Sequence, residues 1–83
     1  MDSPIRTARR QVGLTAADLA TVLGVSTGTV ASWERAEALP SRTRLERVAV
    51  LLGRDPDTLA DQLREARVAY RRRIEATLTG AQR

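Results

Sequence analysis

The stretch GVSTGTVASWE, Gly24 to Glu34, concentrates small polar chemistry: Ser26, Thr27, Thr29 and Ser32 each carry a hydroxyl that donates and accepts, with Gly28 and Ala31 between them. A hydroxyl becomes a nucleophile when a neighbouring base activates it, yet the chain contains no histidine and no cysteine. Thr15, Ser26 and Ser41 stand where helix caps are needed. Asp57, Asp61 and Glu65 follow at the spacing of one helix face, which describes solvated charge and not a metal pair. Without Cys and His, disulfides and the usual zinc ligand sets are also excluded. No catalytic residue, metal or cofactor is therefore expected, and the chain reads as a non-enzyme. The remaining chemistry is recognition: hydroxyls, a glycine and small side chains can approach base edges in a nucleic-acid groove, while arginines nearby hold phosphates.

Such a helix must be held out from a body. With 83 residues the chain has length for one small domain. Hydrophobic residues make up 42%, phenylalanine is absent and aromatics reach 2%, so the core must come from Leu, Val, Ile and Ala around Trp33. That composition favours closely packed small helices over a sheet sandwich. SPIRTARRQVG offers Ser3 as cap, Pro4 at the first helical position, Ile5, Ala8 and Val12 on one face, and Gly13 as terminator. LTAADLATVLG follows, with Thr15 as cap, Asp18 reaching back to it, Leu19 and Leu23 inward, and Gly24 ending the helix in a left-handed conformation.

VSTGTVASWERA restarts almost at once, capped by Ser26. Val25, Val30 and Trp33 form its apolar side, and Thr27, Gly28, Ala31 and Ser32 lie away from it. Two short helices joined by so tight a turn cross steeply, which leaves the second one projecting. Beyond Pro40, Ser41 caps RTRLERVAVLLG, with Leu45, Val48, Ala49 and Leu52 inward and Gly53 closing it. A fifth segment begins near DPDTL and runs from Asp57 to about Leu78. Its stripe of Leu59, Leu63, Ala66, Tyr70, Ile74 and Leu78 advances in steps of three and four. The expected fold is all-α: a compact four- to five-helix body with an extended C-terminal helix.

The net charge is +4 at pH 7, and all fourteen basic residues are arginine. A positive balance attracts phosphate and equally serves solubility. The arginine preference fits bidentate phosphate or base contacts as well as a coding bias. No run reaches the roughly 18 to 20 apolar residues that span a bilayer, and the start lacks a signal-peptide apolar region, so no membrane partner is expected and the expected compartment is the cytoplasm.

The paired helices resemble the xenobiotic-response-element, or lambda-repressor and Cro-like, family of helix-turn-helix DNA-binding domains. The resemblance runs through RRQVGLTAADLATVLGVSTGTVASWERAEALPS to LERVAVLLG and DPDTL, roughly residues 5 to 65. Many constraints coincide at fixed spacing: Gly13-Leu14-Thr15, Leu19-Ala20, Leu23-Gly24-Val25-Ser26, Val30, Trp33-Glu34, Pro40 and Leu52-Gly53. Ala20 is small where the two helices approach, Gly24 makes the turn, Val25 plugs the gap, and Val30 with Trp33 seats the second helix. The resemblance implies a helix-turn-helix domain over residues 1–66 and a C-terminal helical extension over 67–83. It also implies an ion pair between Arg9 and Glu34 that fastens helix one to helix three.

By the same resemblance the helix over residues 26–35 enters the major groove of double-stranded DNA, with Thr27, Gly28, Thr29, Ala31 and Ser32 nearest the bases. None is a bidentate reader such as Arg, Asn or Gln, so direct readout is soft. Ala16 stands where the family frequently has a glutamine that holds a phosphate. Backbone N–H groups at that helix start must substitute, together with Ser26 and the arginines at 10, 35, 42 and 44. Arg42 or Arg44 also suits a minor groove. Ala36 stands where a glycine often closes helix three.

One such domain reads few base pairs, so a homodimer on a symmetric site is expected. Tyr70, Ile74 and Leu78 on the extension fit self-association, with Arg71 to Arg73 wet or on phosphate. The same surface also suits a heterologous protein partner, or an independent helix end. The simplest reading is a dimeric transcriptional repressor, located at the nucleoid when bound. The alternative is an antitoxin or adaptor of the same fold whose main role is to bind another protein.

Overall fold

The computed structural model describes residues 3–81, which form five α-helices and no strand: α1 Pro4–Gln11, α2 Ala16–Leu23, α3 Thr27–Glu34, α4 Arg42–Leu52 and α5 Pro56–Ala81. The first three have only eight residues each, too few to persist alone in water. Their ends are therefore secured one by one. The hydroxyls of Ser3, Ser26 and Ser41 accept the N–H groups of Arg6, Thr29 and Arg44. Thr15 and Asp18 form a reciprocal box, each side chain accepting the other's N–H at 3.0 Å. Before α5, the Asp55 carboxylate accepts both the N–H and the hydroxyl of Thr58. Such caps are each worth about 1 kcal/mol.

The first four helices also share one ending. A residue with positive φ follows each, and the next N–H reaches back to a carbonyl five residues earlier: Leu14 to Arg9, Val25 to Ala20, Glu37 to Ser32, and Arg54 to Ala49. The left-handed residue at three of these ends is a glycine, including Gly24 between α2 and α3 at φ +70°. At the end of α3 it is Ala36, at φ +61°. An L-residue there carries strain of about 1 kcal/mol. Arg67 of α5 braces that turn by donating from Nη1 to the carbonyl oxygens of both Ala36 and Glu37.

Two expectations about these elements need correction. Val12 does not join the core: it lies just past α1, and the Gly13 turn swings it outward to 47% exposure. The last helix begins at Pro56 and passes Leu78, because neither proline nor a left-handed residue interrupts it.

The five largest fully buried side chains come one from each helix: Ile5, Leu19, Val30, Val48 and Leu59. Each contributes roughly 1.5–3 kcal/mol through burial. Trp33, Leu45, Ala49, Leu52 and Leu63 join the cluster together with Ala8, Ala20, Leu23 and Ala60, while Leu14, Ala16 and Val25 pack against its edge.

Glu34 is the one buried charged residue among the described residues, its side chain 3% exposed. Arg9 grips it through two bonds, Nη2 to Oε1 at 2.9 Å and Nε to Oε2 at 3.2 Å. Arg6 adds Nε to Oε1 at 3.0 Å, and Arg9 Nη1 also donates to the Leu14 carbonyl. Burial alone would push the Glu34 carboxyl up, but the hydrogen bonds and charges of Arg9 and Arg6 outweigh it and hold the group below the usual glutamate range. Because the folded value is depressed, the contribution is complete above the unfolded value and disappears as pH falls through the folded one.

Glu34→Gln should cost about 3 kcal/mol at neutral pH, at the low end for a broken buried pair because Arg6 stays partly in water. The gap to the parent chain, read from urea midpoints, should narrow below about pH 4.3. A gap independent of pH would show that the carboxylate charge is not what holds α1 to α3.

Candidate nucleic-acid interface

The α3 helix has two unlike sides. Val30, Trp33 and Glu34 are buried, whereas Ser26, Thr27 and Gly28 at its start are exposed; Thr29, Ala31 and Ser32 are half-buried between them. This asymmetry follows from the sequence. The apolar residues recur at helical spacing, and the opposite positions carry side chains too small to cover anything. A Cβ added at Gly28 would meet only Ser26 Oγ, at 3.7 Å. The exposed start of α3 is thus a narrow, nearly bare ridge.

Its hydrogen-bonding capacity is partly committed. Ser26 Oγ accepts the Thr29 N–H at 3.1 Å and shares a 2.9 Å bond with the Thr29 hydroxyl. Thr27 has no such tie, and among the described residues the N–H groups of Thr27 and Gly28 have no acceptor. These groups lie at the positive end of the helix dipole, the arrangement that suits an anion.

At the start of α2 the position is less open than expected. Ala16 is half-buried with its side chain against the core, so only its backbone faces outward chemistry. The Thr15 N–H is taken by Asp18. Bonds from the Thr15 backbone and then its hydroxyl hold the Asp18 carboxyl below the usual range. A fixed negative charge therefore sits where a phosphate would approach, and the N–H groups of Ala16 and Ala17 remain as donors.

The arginines differ in their commitments. Arg10 is exposed at the end of α1. Arg35 bonds Glu37 at 2.8 Å, and Arg42 bonds both Glu46 at 3.0 Å and Asp57 at 2.9 Å. All these pairs are well exposed, and such pairs are worth at most about 1 kcal/mol, so a phosphate can displace them at little cost. The bonds and charge of Arg35 hold the Glu37 carboxyl low, with smaller help from the Ser32 hydroxyl and the charge of Arg67. Arg44 is exposed and its side chain has no partner among the described residues.

Among the structural residues, Arg9 bonds Glu34, Gly24 lies in the turn, Val30 and Trp33 are buried, and Val25 is half-buried beside the core. Arg6 was not expected in the clamp. Its position three residues before Arg9, on the same helix face, is the signal that could have found it. On the extension Tyr70 is half-buried, while Ile74 and Leu78 are 41% and 59% exposed. Among the described residues no cluster of His, Cys, Asp and Glu could hold a metal ion, and no helix is long and apolar enough to cross a membrane.

The helix-turn-helix family model matches residues 5–59, so the matched span ends at Leu59, short of the expected residue 65, and most of α5 lies beyond it. Neither the curated proteins nor the solved structures yielded a match. That family consists of DNA-binding regulatory domains and is not an enzyme family. With a tight α2–α3 turn, a seated α3 and a family match over more than half its length, the chain belongs to the Cro/C1-type, xenobiotic-response-element-like family of helix-turn-helix DNA-binding regulators.

Proposed function

We propose that the chain is a sequence-specific regulator of transcription that lays α3 in the major groove of double-stranded DNA and works as a dimeric repressor. The observation that carries this reading is the exposed ridge of Ser26, Thr27 and Gly28 on a helix whose opposite side is anchored by Val30, Trp33 and Glu34. Thr27 is the principal base reader, because the Thr29 hydroxyl is shared with Ser26. Gly28 allows close approach, Ala31 meets a thymine methyl, and Ser32 reads from the next turn. Ser26 and the backbone at Ala16 face phosphates, with Arg10, Arg35, Arg42 and Arg44 positioning the DNA backbone. Residues 1–66 are the DNA-binding part and 67–83 the associating extension.

Duplex RNA is a poor target, since its deep, narrow major groove excludes such a helix. Repression needs only occupancy of a promoter. The exposed Ile74 and Leu78 favour one second reading, an antitoxin or adaptor that binds another protein.

Selection from random duplexes should recover a two-fold symmetric site; the adaptor reading expects no enriched sequence. Gly28→Ala separates fold from function. It should raise stability by a few tenths of a kcal/mol, less than the roughly 1 kcal/mol of a helix interior because Gly28 lies in the first turn. It should also weaken binding to the selected duplex about tenfold, by 1.4 kcal/mol or so, because the methyl occupies the space of closest approach. Equal affinity in both chains would place α3 away from the groove. Arg44→Ala should weaken binding to all duplexes alike and reduce the salt slope by about one unit, measured by titration at several salt concentrations.

A further inference from the structure

The first four helices end alike, yet not on the same residue. Gly13, Gly24 and Gly53 supply the left-handed conformation after α1, α2 and α4, whereas after α3 it falls to Ala36, buried at φ +61°. At such angles the Cβ of an L-residue crowds the following carbonyl oxygen, so alanine prefers the right-handed region and glycine does not. The bonds of the turn itself run from the N–H groups of Ala36 and Glu37 to the carbonyls of Trp33 and Ser32. They would be the same with glycine in place, so they do not offset the preference of alanine.

The compensation comes from α5. Half-buried Arg67 donates from Nη1 to the carbonyl oxygens of Ala36 and Glu37, and its guanidinium lies over the Tyr70 ring, 5.8 Å from the centroid. Two successive carbonyls face one nitrogen only while the peptide planes on either side of Glu37 keep this orientation. If Ala36 relaxed to the right-handed region, its carbonyl would swing away and the paired bonds would open. A donor that bonds one conformer and not the other shifts the population by that difference. Tyr70 steadies the guanidinium through its ring face.

We propose that Arg67 is a positioning residue for DNA reading, which keeps Ala36 left-handed and thereby fixes the last turn of α3. The proposal rests on the reading of α3 as the groove helix. That last turn carries Ser32, whose carbonyl accepts the Glu37 N–H at 3.0 Å, and leads into Arg35, whose guanidinium pairs with Glu37 at 2.8 Å. When the turn relaxes, Ser32 and Arg35 lose their shared anchor at Glu37, while the start of α3 stays capped by Ser26. Arg67 lies beyond Leu59, where the family match ends. A strained alanine inside the matched domain is thus supported from outside it.

Ala36→Gly removes the need for the brace, so a cycle of four full-length chains isolates it: the parent, Ala36→Gly, Arg67→Ala and the double variant. Arg67 bonds carbonyls and no carboxylate among the described residues, so its loss strands no acid. Circular dichroism sets a temperature at which all four are folded. In the parent background, Arg67→Ala should weaken binding to the selected duplex about fivefold, as the fraction of competent chains falls. Exchange of the Glu37 N–H in the free protein should quicken at least as much. In the Ala36→Gly background both effects should shrink below about twofold. The lost positive charge weakens binding equally in the two backgrounds and cancels in the comparison. An equal loss of affinity in both backgrounds, or none in either, overturns the proposal. Faster exchange without weaker binding also overturns it, because the turn would then not serve reading. A parent chain that enriches no duplex removes the DNA reading and this role with it, while the exchange cycle still shows whether Arg67 holds the turn.

Discussion

The Glu34 carboxylate is the point on which the architecture turns. It is removed from water at the end of the helix that must project, and three guanidinium bonds from α1 compensate it there. Its value lies less in net stability, since burying charges costs much of what their attraction returns. What the arrangement supplies is orientation. Hydrophobic contact through Val30 and Trp33 lets a short helix roll, whereas a bidentate bond fixes its rotation about its own axis. With Glu34 clamped, the ridge at Thr27 and Gly28 has one direction in which to face.

The clamp acts at one end of α3 together with a second constraint. Directly after Glu34 the chain enters the left-handed turn at Ala36, a position that glycine would occupy without strain. Arg67 satisfies the carbonyls of that turn from α5. The long helix is thereby joined to the end of α3, and not only to the core through Leu59 and Leu63. A change in what α5 carries beyond Arg67 is mechanically one contact away from α3.

How much of this was legible in the sequence depended on the range of each interaction. Caps at Ser3, Thr15, Ser26 and Ser41 are local bonds over three residues, and their residue types announce them. The core stripe was equally plain, because burial follows the 3.6-residue period. Val12 fits that period and yet lies outside, since one left-handed residue after it ends the helix and turns it to solvent. Arg6 and Arg67 were missed for the opposite reason: their partners Glu34 and Ala36 are distant in sequence, and an exposed arginine on a helix looks the same whether or not a carboxylate lies across from it. Nothing in an alanine announces a positive φ, so the strain at Ala36 became visible only in the structure. The Arg42 pair with Glu46 was readable at four residues apart, but the one with Asp57 was not.

A recognition ridge made of small side chains has a physical consequence for specificity. Threonine and serine each present one rotating hydroxyl, so they discriminate bases less sharply than a bidentate side chain, and part of the capacity at Ser26 and Thr29 is spent on each other. If α3 reads DNA as proposed, discrimination must then come from elsewhere: from close approach at Gly28, from the shape of the duplex under the arginines, and from joining two weak readers by a fixed symmetry. The last of these multiplies small preferences, because each base that differs from the preferred one is counted in both half-sites. On the proposed reading, a soft reader is therefore better suited to a two-fold partner than to solitary action.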